Sequence, residues 1–181
     1  MRLALDRVVA AGLLVLSAPA IGLLAALVWL EDHKTAFVPV LRMGEGGRTF
    51  SMWKLRSMRV DRPDGTADGS ALTSMNDQRI THIGARMRRY HLDELPQLWN
   101  VARGEMCLFG PRPEAPAFVD LEDPCWQAVL RMPPGIAGPT QLVVGGWERH
   151  IISSCPDGTA YRDQVVPVKL AIDTWYMRRA S

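Results

Sequence analysis

Residues 8–30, VVAAGLLVLSAPAIGLLAALVWL, decide the fold because they form a run of 23 residues without a charge. At 1.5 Å per residue, a straight helix of this length reaches about 35 Å, enough to cross a hydrocarbon core of about 30 Å. Ser17 and Pro19 lie at its centre. Proline removes a backbone hydrogen bond and clashes with the preceding turn. The run therefore predicts a membrane helix with a kink at its midpoint.

Three arrangements of this segment stay open on the residues alone. Ala18-Pro19-Ala20 resembles the cleavage site of a signal peptide, but the apolar run continues over residues 21–30. A straight span would leave the two N-terminal arginines in the cytosol and place everything after the span outside. A re-entrant hairpin would bend at residues 17–19 and return to the cytosolic leaflet. In that case the Ser17 hydroxyl could bond a backbone group freed by the bend.

Further along, residues 92–113, LDELPQLWNVARGEMCLFGPRP, begin with the adjacent acids Asp93 and Glu94. Pro96 fits the first turn of a helix, so a helix is predicted to begin near Asp93, with Asp93 as its N-cap. The positive end of a helix favours ionised carboxylates, which can attack phosphorus or bind a hard divalent cation. Acids are also common as simple caps, so the pair alone does not define a site.

Positive charge accumulates around these acids. Residues 79–91 contain no acid but four arginines: Arg79, Arg86, Arg88 and Arg89. Such a run is either a solvated helix face or a holder for an anionic substrate that two carboxylates would otherwise repel. The turn Gly110-Pro111-Arg112-Pro113 presents one more guanidinium.

Composition limits the classes of function, and local sequence patterns predict the remaining secondary structure. The net charge of +2 gives no general attraction for nucleic acid, and three widely spaced cysteines indicate reduced thiols with no disulfide framework or cysteine zinc site. A loop is predicted over residues 60–77. Strands are predicted at residues 36–43 and 49–56, and helices at residues 80–90, 93–102 and 165–177. Trp175 and Tyr176 in the last helix suit lipid headgroups or ordinary core packing equally.

Three segments together form a recognisable pattern. The central segment contains L-D-E-L (92–95), G-E-M (104–106) and G-P-R-P (110–113). The flanking segments are F-S-M-W-K-L-R-S-M (50–58) upstream, and P-G-I (134–136) followed by Gly138 and Gln141 downstream. With them, the chain resembles the small monotopic bacterial phosphoglycosyl transferases, which load a sugar phosphate onto a polyprenol phosphate. The resemblance runs from about residue 3 to about residue 176.

This resemblance implies an α+β protein in two parts. Residues 1–32 would form a re-entrant helix-break-helix membrane hairpin, with its break at Ser17 and Pro19. Residues 33–181 would form one small, helix-rich cytosolic catalytic domain with a short β-hairpin and interfacial amphipathic helices. The implied location is the cytoplasmic face of the bacterial inner membrane. The oligomeric state stays open, a homodimer included.

The resemblance also implies a two-step reaction. Asp93 would attack the β-phosphate of a UDP-sugar, release UMP and pass the phosphosugar to undecaprenyl phosphate. Mg²⁺, with Asp93 and Glu94 as its ligands, would neutralise the diphosphate. Substrate contacts are expected from five further residues: Lys54, Arg56, Arg88, Arg112 and Gln141. The lipid bilayer is an expected partner and nucleic acid is not.

The chain departs from the family after residue 136. Ala137 and Pro139-Thr140 stand where relatives carry Thr and Trp-Ala, and Val143-Val144-Gly145 replaces Asn-Gly-Arg. Residues 145–150 are therefore the expected place for substrate tuning, with an ordinary loop as an equal alternative. Two other classes stay open. A membrane-anchored, non-catalytic polyanion-binding module needs no acid pair, and a secreted or periplasmic hydrolase needs cleavage after residue 20 or outward orientation.

Overall fold

The computed structural model describes residues 2–59, 77–155 and 158–180. The loop predicted over residues 60–77 lies almost wholly outside these ranges. The described residues form two compact units, the first from residues 2–40, 51–59 and 77–104, the second from residues 41–50, 105–155 and 158–180. The predicted division into an anchor (1–32) and a catalytic domain (33–181) concerns function and stays a prediction.

Helices and two small sheets make up the described chain, so the predicted α+β class is confirmed. In chain order the elements are α1 (Arg2–Asp32), β1 (Phe37–Met43), β2 (Thr49–Leu55), α2 (His82–Arg89), α3 (Gln97–Arg103), β3 (Cys107–Phe109), α4 (Pro124–Val129), β4 (Gly135–Ala137), α5 (Pro139–Ser154) and α6 (Val166–Ala180). Short 3₁₀ turns lie at Glu45–Gly47, Leu92–Glu94 and Pro116–Phe118, and a π-helical turn lies at Tyr161–Val165.

Helix α1 continues through Pro19, where the sequence predicted a break between two half-helices. Pro19 removes only one backbone donor, the one that would bond the Val15 carbonyl, so the other turns carry the helix past it. The Ser17 hydroxyl donates to the carbonyls of Leu13 and Leu14, at 2.7 and 3.3 Å. Bonding to the residue four positions earlier is the pattern that bends helices slightly. The backbone described is therefore one helix, and a hairpin path in a bilayer stays a prediction.

One side of α1 packs against the rest of the first unit over most of the helix's length. Ala10, Ile21 and Val28 are buried on this side, and α3 packs against α1. Many of the other apolar side chains of α1 are exposed, among them Leu5, Val8, Val15, Leu16, Leu23, Trp29 and Leu30. By length and composition, α1 is also able to cross a membrane. Helix α1 thus contributes one side to the interior of the first unit and exposes apolar side chains elsewhere.

The predicted hairpin and the helix after it are confirmed. Strands β1 and β2 form a two-stranded sheet, and Gly46 and Gly47 in the turn between them adopt φ values of 68° and 71°. Glycine occupies this backbone region without a steric penalty. Helix α2 begins after Thr81, whose Oγ1 accepts a hydrogen bond from the Gly84 N–H at 2.9 Å. This cap satisfies one of the unpaired N–H groups at the helix start.

The helix predicted to begin at Asp93 begins later. His91 adopts a left-handed conformation with φ of 55°, and Asp93 lies inside the 3₁₀ turn Leu92–Glu94. Pro96 is the N-cap of α3. Because Pro96 has no N–H, it cannot donate to the Leu92 carbonyl, which instead accepts from Leu95 at 3.3 Å. The prediction that Asp93 caps a helix is therefore wrong, and the acid pair lies in a tighter turn.

The second unit contains a parallel strand pair and three helices. Cys107 pairs with Gly135 and Phe109 with Ala137 in the β3–β4 sheet. A cluster of buried residues holds this unit together: Trp126, Val129, Tyr161, Val165 and Val166. Helix α5 covers residues 145–150, so the alternative of an ordinary loop there is wrong. Helix α6 confirms the final predicted helix.

Candidate active site

Asp93 is a buried acid in the first unit, with only 6% of its surface exposed. Its 3₁₀ turn is held by Leu92 and Leu95, which pack against the apolar cluster that includes Leu55 of β2 and Met87 of α2. Burial of these apolar side chains stabilises the turn by the hydrophobic effect and fixes the position of Asp93 relative to the core. Asp93 is thus presented by a packed turn.

Lys54 forms an ion pair with Glu94, the acid next to Asp93. It lies on β2, and its Nζ donates to Oε1 of Glu94 at 3.0 Å, with both side chains mostly buried. A mostly buried pair like this is less screened by salt than a surface pair. The structure therefore brings together three residues predicted from sequence to act together, namely Lys54, Asp93 and Glu94.

Arg88 is fixed beside the same acids by the end of α2. Its Nε donates to Oγ of Ser57 at 2.8 Å. Gly84, one turn earlier, lies so close to Ser57 that a Cβ there would overlap the Ser57 carbonyl. Close approach of α2 to the end of β2 thus aligns Arg88. Its guanidinium interacts electrostatically with Asp93, and it stays charged despite burial.

Burial decides the protonation tendency of Asp93. Desolvation raises the pKa of this carboxyl, Glu94 raises it further, and Lys54 and Arg88 act in the opposite direction without cancelling the effect of burial. The sequence-based expectation that a helix N-terminus favours the ionised form is therefore wrong for Asp93. The physical reason is that Asp93 lies in a buried 3₁₀ turn, where loss of water outweighs the backbone dipoles.

Arg56 has contacts that the sequence did not indicate. Its side chain is 2% exposed and forms a bidentate pair with Asp32 at the end of α1. Its Nε donates to the Thr35 carbonyl at 2.7 Å. The predicted role of Arg56 in binding substrate is not tested by these contacts, but they show a guanidinium engaged with protein groups.

Arg112 and Gln141 belong to the second unit. Arg112 Nη1 donates to the Ile136 carbonyl at 3.4 Å, within the same unit. Gln141 lies in the first turn of α5, and its Oε1 is buried with no hydrogen-bond partner among the described residues, as is Oγ1 of Thr140 beside it. Buried polar atoms are normally paired, so these two are suited to a polar ligand. Their predicted role in substrate binding stays a prediction.

A buried charge network in the second unit was missed by the sequence analysis. Lys169 Nζ lies 2.8 Å from Oε2 of Glu114, 3.1 Å from Oε1 of Glu148 and 2.8 Å from the Tyr161 hydroxyl. Burial opposes charge on Glu114, but Lys169 outweighs it and lowers the Glu114 pKa. Glu114 directly follows Pro113, so the network fixes the end of the turn that presents Arg112. The sequence feature that could have indicated this network is an acid, Glu114, directly after the G-P-R-P motif.

The acid pair is suited to a divalent cation. In residues 2–59, 77–155 and 158–180, no three acidic, histidine or cysteine side chains gather into a group able to hold a metal ion. Mg²⁺ usually takes one or two carboxylates together with substrate phosphates, and does not require a complete protein cage. Asp93 and Glu94 provide two such carboxylates, so a Mg²⁺ completed by a diphosphate fits the residues present.

Comparison with known proteins shows the family of this chain. The family model described as bacterial sugar transferase matches residues 1–181, and the chain therefore belongs to that family. The UDP-glucose:undecaprenyl-phosphate glucose-1-phosphate transferase of Caulobacter vibrioides is 41% identical over 143 residues, 76% of this chain and 52% of the relative. The exopolysaccharide production protein ExoY of Rhizobium meliloti is 35% identical over 150 residues, 76% of this chain and 66% of the relative.

A third relative points to another sugar. The UDP-N-acetylgalactosamine-undecaprenyl-phosphate N-acetylgalactosaminephosphotransferase of Aeromonas hydrophila is 37% identical over 124 residues, 67% of this chain and 29% of the relative. The matched region thus spans between 29% and 66% of the length of these three relatives. The resemblance inferred from the sequence motifs is confirmed at the level of the family.

Proposed function

We propose that this chain is a phosphoglycosyl transferase that moves a sugar 1-phosphate from a UDP-sugar to undecaprenyl phosphate and releases UMP. The observation that carries the proposal is Asp93, a buried carboxylate beside a second acid and two cations, Lys54 and Arg88. Relatives named for these donors and this acceptor support the substrate classes. The reaction would be the first membrane step of bacterial glycoconjugate biosynthesis, including exopolysaccharides.

The reaction is a double displacement at phosphorus. The Asp93 carboxylate forms a bond to the β-phosphorus of the donor while the bond to the UMP oxygen breaks. The phosphate oxygen of the acceptor then attacks the same phosphorus and releases the Asp93 carboxylate. Lys54 and Arg88 hold the phosphate oxygens and offset their charge. Mg²⁺ held by Asp93 and Glu94 would supply further neutralisation of the diphosphate. Arg112 and Gln141 are the proposed substrate contacts of the second unit.

The same proposal places the protein at the cytoplasmic face of the inner membrane. Arg7, near the start of α1, lies against Gly104, and Asp32, at its end, binds Arg56. Both ends of α1 thus contact the first unit, which supports placing both ends on the same side of the membrane. We propose that in a bilayer α1 enters and leaves by one leaflet, and the bend at residues 17–19 that this path requires is part of the proposal. A straight span would instead separate two polar ends that share one unit.

Helix α6 is the proposed interfacial helix. Its Trp175 is 55% exposed, and the Arg179 guanidinium lies 4.1 Å from the centre of the indole ring. An exposed tryptophan beside a cation is typical of residues at the headgroup level of a membrane. This pairing supports a helix that lies on the bilayer surface.

The direct test measures UMP release by the detergent-solubilised chain with Mg²⁺, a panel of UDP-sugars and undecaprenyl phosphate. We expect Asp93→Asn to reduce the rate at least about 1,000-fold, because the amide is no nucleophile. The matched control is Asp163→Asn, at an exposed acid, which should keep the wild-type rate.

Substantial turnover by Asp93→Asn would contradict the nucleophilic role. If the parent protein releases no UMP, and its nucleotide binding is unchanged in Asp93→Asn, the non-catalytic polyanion-binding module replaces the transferase.

A further inference from the structure

Arg56 fastens the C-terminal end of α1 to strand β2. Its Nη1 and Nη2 donate to the two carboxylate oxygens of Asp32 at 2.6 and 2.5 Å, and its Nε donates to the Thr35 carbonyl at 2.7 Å. Nη2 also reaches the carbonyls of Lys34 and Val28, at 3.4 and 3.5 Å. A helix leaves its last carbonyls unpaired, and a cation at that end is favourable. Arg56 places a cation at this end from outside the helix, and it bonds the Lys34 and Thr35 carbonyls in the connection that follows α1.

The neighbours of Arg56 in sequence contact the acid site. Two positions earlier, Lys54 donates to Glu94. One position later, Ser57 accepts a hydrogen bond from Arg88. Only Leu55 and Arg56 lie between Lys54 and Ser57 in the chain, so a shift of Arg56 would be carried directly to the two cations beside the acids. This stretch therefore connects the end of α1 to the site.

Leu55 makes the same connection through packing. It is 1% exposed and belongs to the cluster that contains Ile21 and Val28 of α1. Leu92 and Leu95, which flank the acid pair, pack against this cluster. Because a close-packed interior transmits small displacements, the position of α1 and the position of the acid turn are linked.

We propose that Arg56 is a positioning residue that uses the end of α1 as a fixed support for Lys54 and the Asp93 turn. The proposal rests on the proposed transferase function and replaces the substrate contact expected for Arg56 from its sequence motif. A donor phosphate could reach this buried guanidinium only by displacing Asp32. The apolar helix is thereby part of the support of the site as well as a membrane attachment.

The first experiment separates positioning from substrate binding through kcat and KM for UMP release. Arg56→Lys keeps the charge but loses the planar fork that binds Asp32 on two bonds. We expect kcat to fall about 10- to 100-fold, because a misplacement of about 1 Å has effects of this size. KM for the UDP-sugar should stay within about threefold. The matched control is Arg59→Lys, at an exposed arginine three residues later, which should change neither value.

The second experiment tests whether Asp32 and Arg56 act as one unit. In Asp32→Asn the amide oxygen still accepts a hydrogen bond from Arg56, and Arg56 keeps its bond to the Thr35 carbonyl, so this variant is expected to fold. It should lower kcat in the same way, and the Asp32→Asn/Arg56→Lys double variant should be no slower than the slower single variant. The Asp32→Glu/Arg56→Lys combination should regain part of the rate, because the longer acid compensates for the shorter reach of lysine.

A third measurement does not depend on turnover. A water-soluble carbodiimide labels accessible carboxyl groups, and peptide mass spectrometry reports the labelling of Asp93 without substrate. We expect Arg56→Lys and Asp32→Asn to increase Asp93 labelling at least about threefold, and Arg59→Lys to leave it unchanged. If the parent protein shows no UMP release, the transferase proposal fails while this measurement still decides the positioning role. Unchanged labelling, or a tenfold rise of KM at constant kcat, would overturn that role.

Discussion

The buried acids of this chain differ according to the cation that stands beside each of them. Glu114 has Lys169 at 2.8 Å, and its pKa is lowered although it is buried. Asp93 faces Lys54 and Arg88, yet burial raises its pKa. Asp173 has an Oδ1 with no hydrogen-bond partner in the described part of the chain, and burial raises its pKa to about 7. A direct bond to a cation offsets desolvation, and a more distant charge does so only in part.

The raised pKa of Asp93 leads to a prediction about the acidic limb of the pH profile. The proposed mechanism requires the Asp93 carboxylate, so we expect kcat/KM for UMP release to fall as pH drops through the pKa of Asp93. Lys54 lowers this pKa and Glu94 raises it. We therefore expect Lys54→Met to move the limb to higher pH and Glu94→Gln to move it to lower pH, whatever happens to the maximal rates. Shifts in the same direction for both variants would disprove this assignment.

At the scale of elements, local patterns predicted β1, β2, α2 and α6, because alternation and helical periodicity are visible within one segment. Helix α5 was missed since its first half combines Val143, Val144, Gly145 and Gly146, all poor helix formers. Pro139 at its first turn was the available start signal. The β3–β4 pair joins three-residue strands that lie far apart in the chain, and no local period reveals such a pair.

Two helical glycines provide a matched test of packing between α2 and β2. A Cβ at Gly84 would overlap the Ser57 carbonyl, whereas a Cβ at Gly146 in α5 meets open space. We expect Gly84→Ala to destabilise the protein by about 1–3 kcal/mol through overpacking and to lower UMP release, since Arg88 is aligned by this contact. Gly146→Ala should stabilise by up to about 1 kcal/mol. Thermal unfolding in detergent measures both.

At the scale of the whole molecule, the motifs predicted a site that includes Asp93, Glu94, Lys54 and Arg88, and the first unit brings these four residues together. What supports these residues could not be predicted, because the contacts of Arg56 with Asp32 and of Lys169 with Glu114 join residues 24 and 55 positions apart. Such pairs follow from the folded arrangement and leave no spacing pattern in the sequence.

The proposed membrane arrangement predicts that both ends of α1 lie on one side. An Arg2→Cys, Cys155→Ser variant keeps Cys125 as an exposed thiol beyond the helix. A maleimide that cannot cross membranes should label the thiol at position 2 and Cys125 in inside-out vesicles, and label neither in right-side-out vesicles. Labelling of the two thiols from opposite sides would establish a straight span and refute the one-leaflet path.

The buried side of α1 also determines how a water-soluble form of this protein could be made. Ile21 and Val28 form one buried cluster with Leu55 and Met87. Removal of residues 1–32 would therefore expose Leu55 and Met87, at a cost of about 25 cal/mol per Å² of apolar surface. Deletion would therefore yield an aggregating fragment. The better route keeps α1 whole and replaces its outward side chains with polar ones, beginning with Val8, Val15, Leu16, Leu23 and Leu30.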